Sequence, residues 1–181
     1  EYLEKAILTG ILRVAKESIF SGLNNLYVDS ILTNQFNYFG LSEGEVLDAL
    51  KYYERDYEIQ EVKEWYNGYT FGKNLVYNPW SIINFIKADE LKSFWVNTST
   101  NDLIRDGLSN LSKSNYDNFV KLTNGENIDI EIEENISFET LERESTIWNL
   151  MMFSGYLSLT ENAQIRFVNK EVRTFYTSTF K

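Results

Sequence analysis

The 181-residue chain contains no cysteine and no histidine. Those absences exclude thiol chemistry, disulfides, Cys/His zinc sites and any Ser-His or Cys-His nucleophile pair. A metal site would have to be built from oxygen, which favours Mg²⁺ or Ca²⁺. Proline occurs once, at Pro79, and there is no low-complexity linker or internal repeat, which argues against a flexible hinge. No apolar run approaches the ~18 residues needed to cross a bilayer, and no signal peptide is visible, so no membrane association and a cytoplasmic location are expected. The sequence has no G-x-x-x-x-G-K-[ST] and no hydrophobic run ending in Asp-Asp or Asp-Glu. It therefore lacks the parts that cradle phosphates and hold Mg²⁺, and this chain alone is not expected to hydrolyse ATP.

What is present suits a folded, aromatic core. Hydrophobic residues make up 43% of the chain and aromatics 15%, with Tyr 12 and Phe 12. The net charge is −10, distributed as −1 over residues 1–40, −4 over 41–100 and −5 over 101–181. Such a chain does not attract phosphate backbones globally, although a local basic face is compatible with it. The sequence begins at Glu1 rather than Met, and is expected to be a piece excised from a longer protein.

The run Ile7, Leu8, Ile11, Leu12, Val14 predicts a buried strand, with Thr9 and Arg13 along it, followed by a Ser-Gly-Asn loop. A helix starts at Ser42, where SEGE is a capping box, with Val46, Leu47, Leu50, Tyr53 and Tyr57 as its apolar stripe. A second helix, around IQEVKEWY, stops at Asn67-Gly68, a tight-turn signal that predicts a small hairpin or fixed loop. Asn78 and Pro79 open a third helix, buried through Ile82, Ile83, Phe85 and Ile86. FWVNTSTND reads as strand-like, and helices follow over NDLIRDGLSNL and after the polar SKSNYDN. IDIEIEEN alternates as an exposed strand or sheet edge within an acidic run. A helix from Ser145 to Phe153, two strands joined by a short turn, and a final helix capped by Asn169 complete the chain. The expected fold is mainly α with short β-strands, an α+β chain. Its helix–hairpin–helix end has the profile of a winged helix.

Each candidate site has a plainer alternative. Arg13 could read a phosphate through its guanidinium, but spacing alone favours an ordinary strand-end arginine paired with Glu17 or another acidic neighbour. Asn78-Pro79-Trp80 could set a helix start and an aromatic plate against an anionic ligand; the alternative is simple capping with Trp80 in the core. Trp65, Tyr66, Tyr69, Phe71 and Tyr77 could stack on bases or sugars, or simply pack around the turn. The carboxylates of 126–144 could hold a cation or form an acid/base pair, but a charge run is usually a solvated face. Arg166, Lys170, Arg173 and Lys181, set against Glu161 and Glu171, could touch nucleic acid, or belong to a winged helix that only packs between domains.

The stretches LTGILRVAKESIFSGLNNL, VKEWYNGYTFG, YNPWSIINFI, FWVNTSTNDLI, WNLMMFSGYL and VNKEV occur in this order between Leu8 and Val172. Together they resemble the bacterial AAA-ATPase-like family, whose members usually carry a PD-(D/E)XK nuclease-like domain at the far end. The resemblance implies that the phosphate-binding loop and Mg²⁺-binding acidic motif lie upstream, and the nuclease-like domain downstream. Residues 1–40 would then end the ATPase core, with Thr9 and Arg13 on its sensor strand. Residues 41–100 would be a helical lid, with Asn78-Pro79 at the start of the lid helix that approaches the nucleotide. Residues 101–181 would be a winged-helix-like domain. ATP and Mg would be ligands of the full-length protein only, no catalytic or metal-ligating residue carries over, and the partners would be the rest of the polypeptide or a second copy. The rival expectation is a non-enzymatic winged-helix module that binds protein or nucleic acid.

Overall fold

The computed structural model describes Lys5 and residues 39–71, 74–96, 102–133 and 146–179. The expected sensor strand, with Thr9 and Arg13, lies outside the described residues. The elements are α1 (Glu43–Tyr52), α2 (Ile59–Tyr66), β1 (Tyr69–Phe71), β2 (Asn74–Val76), α3 (Pro79–Ala88), α4 (Asp102–Ser109), α5 (Lys113–Thr123), α6 (Thr146–Phe153), β3 (Leu157–Leu159), β4 (Ile165–Phe167) and α7 (Lys170–Thr179). The described chain is thus an α+β fold dominated by helices, with two antiparallel two-stranded sheets.

Local chemistry sets the helix starts. Ser42 Oγ accepts from the Glu45 amide while Glu45 Oε2 accepts from the Ser42 amide at 2.8 Å, the reciprocal box that satisfies two orphan donors of α1. Asn78 Oδ1 accepts from the amides of Trp80 (2.9 Å) and Ser81 (3.3 Å), and Pro79 occupies the first position of α3. The other end of α3 is closed from a distance. Arg55 Nε donates to the Ile86 carbonyl, and the Tyr57 hydroxyl donates to that of Asp89. Asp89 itself turns into the left-handed region.

Two apolar clusters organise the chain. The first joins α1, α2 and α3 through Val46, Leu50, Val62, Tyr66, Ile82 and Phe85. The second joins α4 to α7 around Trp148, Met151, Ile165, Val172 and Tyr176. Trp148 is fully buried, with its Nε1 donating to Asn115 Oδ1 at 3.0 Å, so the largest ring in this core carries no orphan donor. Gly107 lets α4 approach α6, since a Cβ there would meet Ile147 Cδ1 at 2.7 Å.

Several expectations shift in register. Leu47, Tyr53 and Ile83 are about half exposed: each short helix turns one narrow stripe inward, and these residues lie beside it. Trp80 is 52% exposed rather than in the core. Asn67-Gly68 ends α2 but does not turn the hairpin, whose strands pair Tyr69 with Val76 and Phe71 with Asn74. Leu41 adds a bridge to Tyr77 beside that hairpin. Phe94–Val96 form no strand. The polar SKSNYDN is itself the first half of α5, capped by Ser112. The alternation of IDIEIEEN survives without a ladder: Ile128 is buried and bridges to Ile165, Ile130 and Ile132 lean on the core, and the acids between them face outward.

Candidate functional site: the seam between the two clusters

The two clusters meet along α7, and one side chain holds the seam. Glu171, in the first turn of α7, is fully buried. Its Oε2 accepts from Ser81 Oγ at 2.7 Å, and its Oε1 accepts from the amides of Phe94 (2.6 Å) and Trp95 (2.5 Å). Its backbone carbonyl accepts from Ser93 Oγ at 3.0 Å. A carboxylate therefore gathers donors from α3 and from the segment that connects the two clusters. Burial raises its pKa above the usual carboxylate range, although the surrounding hydrogen bonds pull the other way. The sequence shows only the i to i+3 spacing of Lys170 and Arg173 around it, so the inward turn of this acid was not visible there.

Polar groups cluster beside this latch. The Tyr69 hydroxyl is buried against the side chains of Asn78 and Asn169. Burial pushes the Tyr69 phenol well above its ordinary pKa. Asn169 Oδ1 is engaged, accepting from the Val172 amide at 3.1 Å as the cap of α7. Gly68 makes the closest approach across the seam: its φ is +106°, and a Cβ there would lie 2.0 Å from the Val168 carbonyl oxygen.

α2 and α7 wall a groove of about 420 Å³. Lys63 from α2, Arg166 from β4, and Lys170 and Arg173 from α7 line it, with Glu64 and Glu126 as its acids. Lys63 is paired with Glu43 at 2.7 Å, which holds the Glu43 carboxyl below its usual range and raises the Lys63 ammonium. Arg166, Lys170 and Arg173 are exposed and join no ion pair among the described residues. Lys170 Nζ sits 5.2 Å over the Trp65 ring, and Arg173 lies against Gly125.

The sequence-derived candidates are placed unevenly. Thr9 and Arg13 lie outside the described residues, as does Lys181. Asn78 and Pro79 open α3, three and two residues ahead of Ser81, and so stand one helical turn from the Glu171 latch. The aromatic set is mostly packed: Tyr66 and Tyr77 are buried in the first cluster, and Tyr69 meets Trp95 edge-on at the seam. Of the basic set, Arg166, Lys170 and Arg173 do share one face, and Glu171 does not neutralise it, because its carboxylate points into the seam. Among the described residues, no three acidic side chains converge as a metal site.

Comparison with known proteins adds one relative. The chain is 31% identical over 104 residues to a protein of Azotobacter chroococcum mcd 1 described as an uncharacterized protein in the vnfD 5' region. The matched stretch is 58% of this chain and spans 20% of that relative's length. No family model matches the chain, and no solved structure matches it.

Proposed function

We propose that this chain is the lid and winged-helix-like part of an AAA-ATPase-like protein, and that it couples ATP binding and hydrolysis to the movement of a partner domain. The observation that carries this reading is the continuity between Asn78-Pro79 and Glu171. The helix that Asn78-Pro79 opens presents Ser81 to the buried carboxylate one turn later, so a displacement of that helix start is transmitted to α7. The ordered set of six stretches gives the ATPase resemblance, and the Azotobacter relative extends well beyond its matched stretch. In this reading ATP and Mg bind in a preceding core, Arg13 reads the terminal phosphate, and residues 41–100 close over the nucleotide as a lid.

Calorimetric titration of Mg-ATP into this chain and into the longer polypeptide tests the reading. Binding by the longer form alone, weakened by Arg13→Ala, is the expected result. Absence of binding by both, or an Arg13→Ala protein with the same affinity and hydrolysis rate, would remove the ATPase role. The exposed cations of β4 and α7 favour a second reading, a non-enzymatic module whose winged helix binds a partner.

A further inference from the structure

The groove between α2 and α7 concentrates positive charge in a chain whose net charge is −10. Four cations line it against two acids, and three of the four are in no ion pair among the described residues. Like charges converge at a cost unless a counter-charge joins them. We propose that this groove binds a compact phosphate-bearing small molecule, with Arg166, Lys170 and Arg173 as its principal ligands and Lys63 reaching from the opposite wall.

The size and surroundings select the class of ligand. A space of about 420 Å³ suits a pyrophosphate or a small phosphorylated metabolite. A long polyanion fits poorly, because acids stand on both sides of the groove: Glu64 on α2 and Glu126 across from it. Guanidinium groups at two positions offer forked donors matched to phosphate oxygens. Because Lys63 lies on α2 while the other cations lie on β4 and α7, the bound anion bridges the two clusters. This site stands apart from the nucleotide of the proposed ATPase core and does not depend on it.

The test is calorimetric titration of inorganic pyrophosphate into the 181-residue chain at fixed ionic strength. One-site binding is expected. Arg166→Gln and Lys170→Gln should each weaken it about tenfold, the loss of one charge-assisted hydrogen bond, with the melting temperature unchanged. Glu126→Gln should tighten it, a gain that misfolding cannot mimic. A mixed-sequence single-stranded oligonucleotide forms the second arm. No heat at millimolar pyrophosphate, binding indifferent to all three variants, or an oligonucleotide bound more tightly than pyrophosphate with a steep salt dependence would each overturn the proposal.

Discussion

Ser81 Oγ donates a 2.7 Å hydrogen bond to Glu171 Oε2 across 90 positions of sequence. Both residues are fully buried, and each sits in the first turn of its helix. The bond therefore joins two helix starts, one from each apolar cluster. A double-mutant cycle on Ser81→Ala and Glu171→Gln should return a coupling energy of about 1–2 kcal/mol in denaturant unfolding. Glu171→Ala should cost more, about 3–5 kcal/mol, because it strands the Phe94 and Trp95 amides along with Ser81. Additive single effects would mean that the contact carries no energy.

The same carboxylate makes stability depend on pH with a defined sign. Burial raises its folded pKa above 4.5, so the folded state holds this proton more tightly than the unfolded state does. This contribution to stability is present at and below pH 4.5 and is lost as pH rises through the folded pKa. Glu171→Gln removes the titration. The stability of the variant relative to the parent should thus be higher at neutral pH than near pH 4.5, measured by urea midpoints. A difference that runs the opposite way would show that the amide donors outweigh burial.

Two glycines should respond oppositely to the same change. Gly68→Ala places a methyl against the Val168 carbonyl at a positive φ, and should destabilise by about 3 kcal/mol or more. Gly44→Ala lies in α1 with nothing within 4 Å of its new methyl, and should stabilise by about 0.5–1 kcal/mol. Thermal melts of both variants check the pair.

Local signals in the sequence reached most of the elements. The capping box at Ser42, the Asn78-Pro79 start and the Asn169 cap each depend on neighbours within a few residues, and each marks an element boundary in the structure. The misplacements have a common cause. Leu47, Ile83 and Trp80 are apolar, but which face a short helix buries is decided by what packs on it, not by its own periodicity. Gly68 looked like the turn of a hairpin because Asn-Gly usually is one; here its missing Cβ serves a contact 100 residues away. The basic face was legible as residue types, yet its net sign depended on the orientation of Glu171. Burial reversed that orientation, and no spacing encodes it.

In the proposed coupling, α3 reports nucleotide state to α7 through the residues gathered by Glu171. Hydrogen exchange at the Phe94 and Trp95 amides of the longer polypeptide, with and without Mg-ATP, tests it most directly, since both donate to that carboxylate. A change in their protection on nucleotide binding, abolished by Glu171→Ala, is the predicted result. Protection that stays the same while Mg-ATP binds elsewhere in the protein would contradict it.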